Sequence, residues 1–156
     1  MKGAFPVAFL SSLDISGSGL TASRLRMDVI SENISNAETT RTDNGGPYRR
    51  KIVEYQCADD DASFRSLLDG QIASSSAPST LKGVEVTGIT EDQTPFSEEY
   101  DPTSPDANAQ GYVQKPNVDL VKETVDMMAV TRAYSANLTA LNAVKSMASK
   151  ALEIGK

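Results

Sequence analysis

A chain of 156 residues has room for one domain, or for one domain with an extension. Only 39% of its residues are apolar, Trp and His are absent, and the formal net charge is −6. Without His it lacks the commonest general base and metal ligand, and the acidic balance argues against nucleic acid as a partner.

No run approaches the roughly 20 apolar residues that span a bilayer, so a membrane-spanning segment is not expected. The apolar stretch Phe5 to Leu10 is short, follows a single Lys and precedes no small-residue cleavage site. A cleaved secretory signal is therefore not expected either. Cys57 stands alone. It can form no internal disulfide and has no His to activate it, so it reads as a half-buried strand residue.

The first helix is predicted over 13–37, capped by Ser11 or Ser12, with Ser11-x-x-Asp14 resembling a capping box. Gly17 and Gly19 weaken its early turns. Leu13, Leu20, Met27 and Ile34 recur every seven residues, with Ile30 and Ala37 three residues after the last two. This 3–4 alternation marks a helix that winds on another helix.

The middle is rich in Gly, Pro and Ser. Asn44-Gly45-Gly46-Pro47 reads as a turn and Tyr48 to Cys57 as extended chain. Residues 58–80 read as a mobile segment, in which Phe64, Leu67 and Leu68 have a one-turn helical spacing while Ser74 to Ser79 is loop-like. Val84, Val86 and Ile89 suggest a strand face, and Tyr112 and Val113 a last short strand. Pro95, Pro102 and Pro105 interrupt regular structure between them.

The second helix is predicted over 117–152, with Asn117 as N-cap, and would be roughly 50 Å long at 1.5 Å per residue. Its bulky seam is Leu120, Met127, Tyr134, Leu141 and Ala148, with Val130, Asn137 and Val144 interleaved. A second series, Ala129, Ala133, Ala136, Ala140 and Ala143, lies about 200° round the axis. In the first helix Ile15, Ala22 and Val29 lie opposite the seam in the same way. The bulky faces are expected to join the two helices, and the opposite faces to meet other subunits. Asn137 falls within the seam, where a polar residue sets register at some cost in stability.

Several patterns fail on context. Gly17-Ser18-Gly19-Leu20-Thr21-Ala22 fits a dinucleotide fingerprint, but no β-α-β unit follows. Asp101 to Tyr112 lacks the Gly and Glu that a calcium loop needs at its sixth and twelfth positions. Arg49-Arg50-Lys51 reads as a solvated strand edge. No catalytic, metal or cofactor constellation emerges.

Leu13-Asp14-Ile15-Ser16, the run Met27 to Ala37 (containing Asn33 and Asn36) and Thr39-Thr40-Arg41-Thr42 resemble the N-terminal signature of the bacterial flagellar rod and hook proteins. Asn117-Val118-Asp119, Met127-Met128 and the run Arg132 to Asn137 resemble their C-terminal signature. Gly45-Gly46-Pro47-Tyr48-Arg49-Arg50-Lys51, the run Gly83 to Ile89, Pro95-Phe96, the run Tyr100 to Ala107 and Gly111-Tyr112-Val113 narrow this to the proximal rod proteins.

The resemblance implies an α+β chain. Residues 1–40 and 116–156 would form an antiparallel, coiled-coil-like pair of axial helices, and 41–115 a small irregular β-rich middle. It implies a non-enzymatic, self-assembling subunit of the flagellar basal-body rod, a torque-transmitting shaft in the periplasmic space. Its partners would be its own copies, other rod proteins and the flagellar type III export apparatus, with no cofactor and no small-molecule substrate. A needle-like or other helical secretion-apparatus protein would lack the Gly83 to Ala107 motifs. An enzyme using carboxylates or Cys57 would need a concave site that the sequence does not suggest.

Overall fold

A computed structural model describes residues 4–43, 45–58 and 82–154. The segment expected to be loop-like, 58–80, lies almost wholly outside the described residues. In chain order the elements are α1 (Ala4–Ser35), β1 (Lys51–Cys57), β2 (Val84–Glu91), β3 (Ser97–Tyr100), β4 (Tyr112–Lys115) and α2 (Leu120–Ile154). Two long terminal helices therefore flank two short two-stranded sheets, an α+β arrangement.

The first helix begins earlier than its caps suggested. It runs unbroken through Ser11, Ser12, Gly17 and Gly19, so neither serine is an N-cap. Its end is set by Asn36, whose side-chain amide donates to the Glu32 carbonyl at 2.9 Å and whose oxygen accepts from the Thr39 hydroxyl. The same Glu32 carbonyl also accepts from the Asn36 N–H at 3.1 Å, so backbone and side chain together close the last turn.

The second helix begins three residues later than expected, and its cap is Asp119. The Asp119 carboxylate accepts from the backbone N–H groups of Val121 (2.9 Å) and Lys122 (3.3 Å), the second and third helical residues. Asn117 is engaged elsewhere, with Arg50 just before β1 and with the chain after β2.

β1 pairs with β2. The Ala58 N–H donates to the Gly83 carbonyl and the Asp92 N–H to the Arg50 carbonyl, so the strands run antiparallel. β3 pairs antiparallel with β4 from Ser97↔Lys115 to Tyr100↔Tyr112. The two tyrosines meet edge to face at 5.3 Å, and Lys115 pairs with Glu99. β3 was not expected. It fits between Pro95 and Pro102, and Ser-Glu-Glu-Tyr shows no apolar alternation because its residues are all exposed.

The chain divides into two compact units. One holds α1 to Ala22, β1 from Tyr55, β2 to Val86 and α2 from Ser135. In it α1 and α2 touch where Gly19 faces Asn137. A Cβ on Gly19 would stand 2.9 Å from the Asn137 amide nitrogen, so a larger residue there would require the Asn137 side chain to shift. Gly83 is constrained likewise. A Cβ there would collide with Ser18, whose hydroxyl accepts from the Val84 N–H at 3.1 Å.

The other unit holds Ser23–Glu54 and Thr87–Tyr134. Its core is Val29, Ile30, Tyr48, Val53, Val113 and Val130. Here Met27 meets Thr131 and Asn33 meets Glu123, so the helices run antiparallel. None of the described helices is long and apolar enough to cross a membrane.

Candidate functional site

The most buried polar groups described are Asn33, 1% exposed, and Glu123, 0% exposed. They anchor a network within the second unit. Asn33 lies near the end of α1 and meets β1 where the chain returns after the turn. Its amide nitrogen donates to the Lys51 carbonyl (2.9 Å) and to Glu123 Oε2 (3.2 Å). Its amide oxygen accepts from the Tyr48 hydroxyl and the Lys51 N–H, both at 2.9 Å. All four bonds an asparagine amide can make are made.

Glu123 lies in the first turn of α2. Its other carboxylate oxygen accepts from Arg50 Nε at 2.6 Å. The Arg50 guanidinium also reaches Asp92 at 3.4 Å and Asp126 at 3.8 Å. Burial lowers the affinity of Arg50 for its proton, but the hydrogen bond and charge of Glu123, joined by Asp92, outweigh it and hold the guanidinium more firmly protonated than usual. The Asp92 carboxyl sits below its ordinary range, chiefly because the Thr94 hydroxyl and N–H donate to it.

Asn117 closes the network. Its oxygen accepts from the Arg50 N–H at 2.8 Å, and its nitrogen donates to the Asp92 and Thr94 carbonyls, both at 3.1 Å. Arg49 donates to the Asp92 carbonyl and stacks over Phe96 at 4.3 Å. Lys51 pairs with Glu32 at 2.5 Å. Arg49-Arg50-Lys51 is therefore an internal clamp, and the expected solvated edge is corrected. Every charge in the cluster meets a carboxylate, a carbonyl or a ring within the chain.

Tyr48 is buried, and desolvation pushes its hydroxyl up to about 12, with the carboxylates of Glu32, Glu123 and Glu91 adding to the shift. The unfolded chain then ionises near pH 10 while the folded one resists, so this stabilisation is present below pH 10 and is lost as pH rises toward 12. The full loss is about 2–3 kcal/mol at 1.36 kcal/mol per pH unit. Tyr48→Phe is expected to cost about 1 kcal/mol at pH 7 through its lost hydrogen bond. Above pH 10 it should fall off less steeply than the parent chain. Urea midpoints at pH 8 and pH 11 check this, and equal pH slopes would contradict it.

The other singled-out residues are placed as follows. Ile30 and Val130 are buried, and Leu13, Leu20, Met27, Ile34, Met127, Tyr134, Asn137, Leu141, Val144 and Ala148 are half-buried. Leu120, assigned to the seam, is 46% exposed, because it opens the helix before the buried stripe begins. Ala129, Ala133, Ala136, Ala140 and Ala143 are all exposed. Ala22 and Val29, expected to face other subunits, are buried within the chain, and Ile15 is half-buried, so this part of the expectation is corrected.

Among the motif residues, Thr40 donates to Asp106 at 2.9 Å and Arg41 pairs with it at 3.8 Å. The Gly46 carbonyl accepts from both the N–H and the hydroxyl of Thr42, Pro47 is half-buried beside Tyr48, and Arg132 is exposed on α2. Cys57 is exposed at the end of β1 rather than half-buried.

Glu123 was not singled out from the sequence, although a signal was there. The series Val130, Asn137 and Val144 extended back by one heptad lands on it. A charged residue at a seam position needs a buried partner.

The arrangement is mechanical in kind: it fixes the end of α1, the start of β1 and the start of α2 to one another. Comparison with known proteins agrees. Residues 13–41 match the family model for flagella basal body rod proteins, and 109–154 match that for the C-terminal part of the flagellar basal body rod FlgEFG proteins. The flagellar basal-body rod protein FlgC of Bacillus subtilis (strain 168) is 54% identical over 93% of this chain and 97% of its own length. That of Borreliella burgdorferi is 41% identical over 95% and 98%, and that of Salmonella typhimurium (strain LT2) 39% over 96% and 100%. Near-full-length likeness at these identities, on a fold of paired terminal helices, means that the chain belongs to the FlgC family of flagellar basal-body rod proteins.

Proposed function

We propose that the chain is a structural subunit of the proximal rod of the bacterial flagellum, assembling with its own copies and with other rod proteins into the shaft that transmits torque. The observation that carries this, beside the family, is the surface of α2. One side of the helix lies against α1. The other displays the alanine series together with Val121 (74% exposed), Val125 and Met128. A long helix that leaves so much small and apolar surface uncovered is suited to neighbours that pack upon it.

In this reading residues 1–40 and 116–156 form the axial core, and 41–115 an arm clamped to it through Arg50, Asn117 and Lys51. The seam residues from Leu13 to Ile34 and from Met127 to Ala148 hold the pair together, and the faces bearing Ala129 to Ala143 meet other subunits. Asn137, lying across Gly19, helps to fix alignment in its half of the pair. The chain leaves the cytoplasm through the flagellar type III apparatus and assembles in the periplasmic space. Its role is not catalytic and uses no cofactor.

Flagellar basal bodies extracted with detergent from cells expressing a tagged chain test the reading. The chain should co-purify with the rod and resist salt extraction. Recovery only in the free fraction, in cells that build normal rods, would contradict it.

A further inference from the structure

Apolar residues recur every seven positions in both helices. Sliding α2 by one heptad would therefore bring similar side chains against α1, with Tyr134 or Leu120 taking the place of Met127. Apolar burial is non-directional and discriminates poorly between such alignments. Glu123 discriminates sharply. It is fully buried, and its two oxygens are taken by Arg50 and Asn33. Both donors are themselves held in place from outside α2: Asn33 by the Tyr48 hydroxyl and the Lys51 backbone, and the Arg50 backbone by Asn117. A shifted α2 would present Val130 or Pro116 to Asn33 and strand the Glu123 carboxylate. A buried carboxylate without partners is among the costliest defects a fold can carry.

We propose that Glu123 is the register pin of the helix pair: a positioning residue that only one alignment satisfies, with Arg50 and Asn33 as its receptor. The pin selects the alignment, while the apolar seam supplies the strength.

Disulfide trapping in the dilute full-length chain, with Cys57→Ser, tests this. The pair Met27→Cys/Thr131→Cys reports the native alignment, since those two side chains touch. Met27→Cys/Thr124→Cys and Ile34→Cys/Thr131→Cys report slips of one heptad in either direction. In the chain with an intact pin, only the native pair should close within one molecule. Adding Arg50→Leu and Glu123→Leu replaces the buried ion pair with apolar groups, an exchange that commonly preserves folding. The far-UV helix signal should then persist, and the slip disulfides should rise from background to a major share of the product. Glu123→Gln, which keeps an oxygen facing Arg50, should stay in the native alignment.

Native-only disulfides in the double-leucine chain would overturn the proposal. Loss of its helix signal would also overturn it, by making the pin a source of strength instead. Equal slipping in Glu123→Gln would do so as well, by removing the hydrogen-bonded oxygen from the account.

Discussion

Replacing Asn33 with alanine is expected to cost about 3–5 kcal/mol of folding free energy, a large share of the roughly 5–15 kcal/mol that holds a domain together. The substitution deletes four hydrogen bonds and leaves the Tyr48 hydroxyl and the Lys51 N–H without that partner. Buried groups orphaned in this way cost roughly 1–3 kcal/mol each. Asn36→Ala, three residues on, is the control. Its half-buried side chain serves one helix-end carbonyl and one hydroxyl, so about 1 kcal/mol is expected. Urea unfolding followed by circular dichroism compares the two. Similar losses would mean that the buried network contributes no more than an ordinary helix end.

The second large effect concerns assembly rather than folding. Ala136 and Ala140 are exposed on α2, so Ala136→Leu and Ala140→Leu should leave the isolated chain within about 0.5 kcal/mol of the parent. In the assembled rod each added side chain would overfill a contact built for alanine, at roughly 1–3 kcal/mol each time the contact recurs. Motility should therefore be lost while the variants are still exported. Normal swimming in both would show that the face is merely solvated.

The long helices and their pairing were legible because heptad spacing is a local and repeated signal. Their ends were less so. Ser11 and Ser12 look like caps, yet α1 begins at Ala4, and Gly17 and Gly19 lie inside an unbroken helix because packing overrides propensity. Gly19 packs against the Asn137 side chain, a contact that no local pattern reveals.

β3 was hidden by its lack of apolar alternation. The buried network was hidden by distance. Asn33 and Glu123 are 90 positions apart, and Arg50 and Glu123 are 73 apart. Each also has an innocent local role as a helix, strand or cap residue. Asn117 illustrates this: it is a good N-cap by type, but Asp119 takes that place and frees Asn117 to bind Arg50. Likeness to the rod proteins flagged Asn33 and Tyr48 without giving their purpose. The fold shows that they tie the chain entering β1 to the end of α1.

The central claim is that a clamped helix pair presents the small face of α2 to neighbouring subunits. A reconstruction of the rod with side chains resolved tests it most directly. The account predicts Ala129, Ala133, Ala136, Ala140 and Ala143 within about 4.5 Å of another subunit's helix, with Glu123 still bound to Arg50 and Asn33 beneath. A rod in which that alanine face lies against solvent, or in which α1 and α2 of one chain have separated, would contradict it.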